Sequence, residues 1–94
     1  MYATVRSYSG SPGLVDALVE NEDSVRSLIG GIDGFDAYYL IRTSAGEAVS
    51  ISVYEDEAGT EASNQAAREW IGENLPDMAV GPPQVLAGDV VIAF

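Results

Sequence analysis

Six patterned segments follow one another as strand, helix, strand, strand, helix, strand, and they take up almost all of the 94 residues. Few folds accommodate that order in so short a chain. Residues 2–8 alternate small or apolar side chains (Ala3, Val5, Ser7) with bulky or polar ones (Tyr2, Thr4, Arg6, Tyr8). A period of two predicts a strand with two unlike faces. Ser11 followed by Pro12 suits a helix cap and first turn. The stripe Leu14, Val15, Leu18, Val19, Val25, Leu28 and Ile29 continues that helix, with Asp16, Glu20 and Asp23 opposite. Asn21 falls on the stripe, so the helix is either kinked or split there, or overhangs the sheet edge. Gly30-Gly31 is expected to end it as a left-handed cap.

Residues 34–42 and 48–54 read as two strands joined by a short loop over 43–47. Placing Ile41 opposite Val49 puts Tyr39 opposite Ile51 and Ala37 opposite Val53, which gathers the β-branched residues on one side. A slip of one residue would scatter them over both sides. The reverse side then carries Tyr38 beside Ser52, Leu40 beside Ser50 and Asp36 beside Tyr54. The acids Glu55-Asp56-Glu57 complement the positive end of a second helix. That helix runs to about Asn74, with Ala62, Ala66, Ala67, Trp70 and Ile71 inward, and Pro76 stops it. The last strand is expected over 84–94, its apolar end being Val90-Val91-Ile92-Ala93-Phe94.

This order predicts an α+β, ferredoxin-like βαββαβ domain spanning 1–94, with a four-stranded antiparallel sheet and two helices on one face. The β-branched side (Val5, Ile41, Val49, Ile51, Val53) is expected to meet the helices. The other side would hold Tyr2, Thr4, Arg6, Tyr8, Tyr38, Leu40, Arg42, Ser50, Ser52 and Tyr54. Tyrosine is favoured at interfaces because its ring buries while its hydroxyl bonds. That side is therefore expected to pack on a second copy across a two-fold axis, through Arg6, Tyr8, Tyr38, Leu40, Arg42 and Ser52.

Fifteen acidic residues against four arginines (Arg6, Arg26, Arg42, Arg68) leave a net charge of −11. Nucleic acid and anionic membrane surfaces are thereby disfavoured as partners. With no Cys and no His, thiolate chemistry, disulfides and Cys- or His-ligated metals are excluded. No apolar run approaches the ~18 residues of a membrane helix, and a cytoplasmic protein is expected. The run Glu55, Asp56, Glu57, Glu61 lacks calcium-loop spacing and no metal site is expected. The glycines near Gly10 and Gly13 have neither phosphate-loop spacing nor a Lys.

The chain resembles the dimeric α/β-barrel superfamily that contains the antibiotic-biosynthesis monooxygenases. The likeness rests on Gly34-Phe35 opening a strand that reads Tyr38-Tyr39-Leu40-Ile41-Arg42 and on the alternation Val49-Ser50-Ile51-Ser52-Val53-Tyr54. The acidic helix start at Glu55-Asp56 and Gly88 before the last strand complete it. The resemblance implies a homodimer with facing sheets and a small pocket per subunit between helices and sheet. Some members oxidise quinol-like or polyketide substrates with O2 and no cofactor, others degrade haem, and many have no assigned role. Active members often carry an Asn in the first strand, a Trp ending the third and a His in or after the second helix. Here those places offer Val5, Arg6 and Ser7, then Tyr54, then no His at all. The haem-degrading variant is accordingly not expected.

Four side chains are candidates for ligand contact: Tyr39, taken to lie on the helix side of the sheet, Tyr54, Arg68 and Trp70. Asn64, Gln65 and Arg68 share about one turn of the second helix, where they would serve a pocket mouth or a solvated face. Arg6 and Arg42 would bind an anion or pair with acids such as Asp36 or Glu47. No cofactor is expected and no catalytic residue stands out. The chain is read as a homodimeric binder of a small hydrophobic or aromatic ligand. The alternative is a cofactor-independent monooxygenase acting on a quinol- or polyketide-like substrate, with Tyr39, Tyr54 or Arg68 orienting it.

Overall fold

In the computed structural model, which describes every residue from Met1 to Phe94, β1 (Tyr2–Tyr8) runs antiparallel between two neighbours. These are β3 (Ala48–Tyr54) and β4 (Gln84–Asp89), and β2 (Phe35–Arg42) pairs with the far side of β3. Helices α1 (Leu14–Glu20), α2 (Glu22–Gly30) and α3 (Glu57–Asn74) cover one face, and a 3-10 turn over Pro76–Met78 follows α3. The result is a four-stranded antiparallel sheet in a ferredoxin-like α+β arrangement. No helix is long and apolar enough to cross a membrane.

The first helix is split at Asn21, which leaves the helical region at φ −108° and ψ 28°. Its N–H closes the last turn of α1 on the Ala17 and Leu18 carbonyls, while its own carbonyl accepts the Val25 N–H at 3.0 Å. The Asn21 amide also donates to the Ala17 carbonyl at 2.8 Å, so one residue ends one helix and starts the next. The helix ends differ from expectation in two ways. Gly13 at φ +88° precedes α1 with no side-chain cap, Ser11 contributing only its carbonyl to Leu14 N–H. Gly31 stays right-handed at φ −83°, and the left-handed residue is Gly34 at +83°, where the chain turns into β2.

The hairpin has the expected register, with Ala37 opposite Val53, Tyr39 opposite Ile51 and Ile41 opposite Val49. One departure is at Asp36, where an irregularity leaves Phe35 rather than Asp36 facing Tyr54. The Phe35 and Tyr54 rings meet edge to face at 5.7 Å.

The two faces of the sheet are exchanged relative to the sequence expectation. Thr4, Arg6, Tyr8, Ala48, Ser50, Ser52 and Tyr54 are buried beneath the helices, and Tyr38 and Leu40 are half-buried there. The β-branched side is the open one. Val5, Val49, Ile51 and Val53 lie half-buried on it, flanked by Ile41, Leu86 (65% exposed) and Tyr39 (60% exposed). The reason lies in α3, whose inward positions over its first turns are Gly59, Thr60 and Ser63, with Asn64 half-buried beside them. Ala62, expected inward, is exposed. A helix face this small and polar sits close to the sheet and supplies hydrogen-bond acceptors, which Arg6 and the hydroxyl residues need and valines do not. The apolar core cluster lies toward the other end, formed by Tyr8, Leu14, Val15, Leu18 and Ala48.

The last strand is also shorter than expected. It ends at Asp89, and after one bond from Val90 N–H to the Met1 carbonyl at 2.9 Å the tail carries Val91, Ile92 and Phe94 exposed.

Asp56 caps α3, its carboxylate accepting the Gly59 N–H at 3.2 Å. Three residues on, Gly59 is the close contact between α3 and β3. A Cβ there would stand 2.7 Å from both Cβ and Cγ of Tyr54. Tyr54 cannot retreat readily, because its hydroxyl donates to the Ile29 carbonyl at 2.6 Å from a fully buried site. Gly59→Ala is expected to cost about 1–3 kcal/mol through overpacking, read as a lower urea midpoint. An unchanged midpoint would show that α3 is not seated so closely.

Candidate functional site

Between the apolar cluster and the polar start of α3 the two layers do not close completely. They leave a cavity of about 30 Å3, enough for one or two waters. Leu18 of α1, Val25, Leu28 and Ile29 of α2, and Ala67, Trp70 and Ile71 of α3 form its roof. The sheet supplies its floor: Arg6 and Tyr8 from β1, Tyr38 from β2 and Ser50 from β3.

Two surface grooves adjoin it. One of about 360 Å3 shares Leu18, Val25 and Tyr38 with the cavity wall and continues along Val15, Val19, Leu40 and Arg42. The other, about 470 Å3, shares Tyr8 and Ile71 and runs past Arg68 to Pro82 and Pro83.

Arg6 dominates the electrostatics. It is 2% exposed, and a guanidinium stays charged at any pH a protein survives. It nevertheless meets no carboxylate: the two ion pairs of the chain are Arg26–Glu22 and Arg42–Asp16, both at 2.8 Å and both at the surface. Its partners are neutral. Nη1 donates to Asn64 Oδ1 at 2.8 Å and to Ser63 Oγ at 3.4 Å, and Nη2 donates to Ser52 Oγ at 3.2 Å. Thr4 Oγ1 donates to the same Asn64 oxygen at 3.2 Å. Nε of Arg6 and Oγ of Ser50 are buried without any partner.

Burial raises the pKa values of Tyr8, Tyr38 and Tyr54, against which the nearby Arg6 charge acts to lower them. Each phenol therefore stands neutral at ordinary pH.

Of the four residues expected to touch a ligand, only Trp70 lines the cavity. Tyr39 is on the open face, on the wrong side of the sheet, because the faces are exchanged. Tyr54 is on the helix side but its hydroxyl is committed to Ile29, which makes it a tie between β3 and α2. Arg68 is exposed on α3 and reaches only the outer groove. The expected interface set is corrected for the same reason. Arg6, Tyr8, Tyr38, Leu40 and Ser52 lie under the helices of their own subunit, where a second sheet cannot reach them. Arg42, exposed at the end of β2, pairs with Asp16 rather than with Asp36 or Glu47. The cavity floor was thus written in the strand alternation as Arg6, Tyr8, Tyr38 and Ser50, but assigned to the opposite face.

A phenol with a pKa raised in the folded state holds its proton more tightly than in the unfolded chain. Its stabilising contribution is complete below the free value of 10.0 and is lost as pH rises through the folded value. The melting temperature is therefore expected to fall as pH rises past about 10, more gently in Tyr38→Phe. An identical alkaline profile for that variant would mean that Tyr38 does not titrate in this window.

No family model matches the sequence, and no curated protein matches it. Solved structures do. A protein of unknown function from Nitrosomonas europaea, NE2512, superposes with a TM-score of 0.74 at 20% identity, over 99% of this chain and 91% of that one. An antibiotic biosynthesis monooxygenase-like protein from the same organism gives 0.73 at 14% identity, over 98% and 100%. The monooxygenase ActVA-Orf6 of Streptomyces coelicolor, solved with the ligand nanaomycin D, gives 0.67 at 22% identity, over 99% and 88%. Such identities speak for architecture alone. The chain has the ferredoxin-like α+β fold of the antibiotic biosynthesis monooxygenase-like proteins.

Proposed function

We propose that this chain binds a small aromatic or hydrophobic molecule between its helices and its sheet. The observation that carries this reading is the lining of the cavity, where nine of eleven side chains are aliphatic or aromatic and Arg6 and Ser50 are the polar exceptions. Pockets of that make-up, with few polar groups converging, are the usual form of small-molecule sites. At about 30 Å3 the cavity is too small for such a ligand as it stands. Leu18, Val25 and Tyr38 are shared with the adjoining 360 Å3 groove, which Glu22 also lines, and movement of that common wall would enlarge the space. By analogy of fold, the nanaomycin D complex of ActVA-Orf6 supports the same reading.

Oxidation of a quinol- or polyketide-like substrate is the weaker reading. Proton abstraction needs a base within about 3 Å of the acidic hydrogen. The cavity is lined by no carboxylate or imidazole, and its two phenols are held neutral by burial.

Trp70 is the one tryptophan of the chain, so its emission reports on the cavity directly. Titration with a panel of small aromatic compounds, neutral and anionic, is expected to give a saturable change in Trp70 emission and a higher melting temperature. A panel with neither effect would remove the ligand-binding reading.

The reading includes a homodimer. With 15 of 94 residues buried, one subunit leaves much apolar surface in water, and the open sheet face concentrates it at Val5, Tyr39, Ile41, Ile51 and Leu86. A second copy of the same face would cover it, with the apolar tail Val91, Ile92 and Phe94 available to extend the contact. Ile51→Asp is expected to give a monomer in light scattering, while truncation after Val90 weakens the dimer and leaves the single subunit folded. A dimer that survives Ile51→Asp would rule out this face.

A further inference from the structure

The geometry points to Arg6 as the anchor for the carboxylate of an anionic ligand, held in the cavity with Ser50 as a second donor. The inference rests on the small-ligand reading above and adds the charge of the ligand to it. Three observations converge. Arg6 is 2% exposed and lines the cavity, yet none of the fifteen acids of the chain approaches it, although two other arginines at the surface have found one. Its three acceptors, Ser52, Ser63 and Asn64, are neutral, as are the Tyr8 and Tyr38 phenols beside it, and its buried Nε has no acceptor in hydrogen-bonding geometry. Ser50, 2% exposed and on the same cavity floor, is the other buried side chain with no partner in hydrogen-bonding geometry, although the Tyr38 phenol lies beside it.

A desolvated cation with unmet donors is costly, and nearly every such group in a folded protein is paired or bound to an ion. A water would satisfy one N–H but would not neutralise the charge. Nε is the unmet donor, and it shares one edge of the guanidinium with Nη2, the edge whose geometry fits a planar carboxylate. Space favours the same choice. The cavity of about 30 Å3 admits a flat head group, while Tyr8, Tyr38 and Trp70 around it suit a hydrophobic or aromatic body. The net charge of −11 works against anion approach at long range, but salt screens that repulsion beyond about 8 Å at physiological ionic strength. The contact inside is not screened in this way.

The test uses the full chain at constant ionic strength, with formate, benzoate and its neutral counterpart benzamide as probes. Melting temperature and Trp70 emission are the readouts. Formate and benzoate are expected to raise the melting temperature, and benzoate to bind at least about tenfold more tightly than benzamide. Arg6→Met should abolish that preference, its probe-free melting temperature serving as its own baseline. Should Arg6→Met fail to fold, Ser50→Ala, a small change, should still weaken benzoate several-fold and by more than it weakens benzamide. Equal affinity for benzoate and benzamide, or an undiminished preference in Arg6→Met, overturns the anion anchor and leaves the aromatic-ligand reading standing. Stabilisation by formate with no response to either aromatic probe supports the anchor and removes the aromatic reading. No response to any of the three overturns the anchor.

Discussion

A guanidinium buried without a counter-charge constrains the whole helix-facing layer. Arg6 stands on the central strand β1, and its hydrogen bonds run to Ser52 on β3 and to Ser63 and Asn64 on α3. One cation therefore joins three elements. Burying it in an apolar layer would be prohibitive, so the elements around it carry hydroxyls and an amide where a small domain would otherwise place aliphatic side chains. This explains why the first half of α3 turns Ser63 and Asn64 toward the sheet, on a helix that Gly59 lets press against Tyr54. The hydroxyls of Thr60 and Ser63 are themselves tied back to α3 carbonyls, at 2.7 and 2.8 Å.

The same layer divides by chemistry along the strands. Toward Tyr8 and Ala48 it is apolar, packed by Leu14, Val15 and Leu18 of α1, while toward Thr4 and Tyr54 it is polar. The cavity lies where the two halves meet, which places aromatic walls beside a charged floor. A molecule with a hydrophobic body and an anionic head matches that junction on both counts. The opposite face of the sheet has no such mixture. Its valines and isoleucines form an apolar surface that water solvates poorly.

Architecture shared with the antibiotic biosynthesis monooxygenase-like proteins leaves the chemistry of this compartment open, because one fold hosts many functions. The compartment of this chain holds two neutral phenols and one uncompensated cation, with no carboxylate in its lining and no His anywhere in the sequence. Those groups hold and orient a ligand more readily than they take a proton from it.

Much of the fold was legible in the sequence because it rests on local rules. The order of elements, the irregularity at Asn21 (a split being one of its readings) and the pairing of Tyr39 with Ile51 each follow from side-chain period or turn chemistry within one or two neighbouring segments. The resemblance to the monooxygenase-like proteins likewise came from strand patterns that the structure keeps. Which side of the sheet faces the helices was decided only by the tertiary structure. Both sides of β1 and β3 carry groups that gain from burial, one through valine and isoleucine, the other through tyrosine rings and hydrogen-bonded hydroxyls. Alternation separates the two sets without saying which is inside. The choice depends on what α3 presents across the gap, and only the packed molecule shows that Asn64 and Ser63 reach Arg6 from fifty-eight and fifty-seven residues away. The site inherits that decision. Arg6, Tyr8, Tyr38 and Ser50 become a cavity floor solely because the polar side of the sheet was drawn beneath the helices, where a desolvated cation can be met by acceptors from two elements at once.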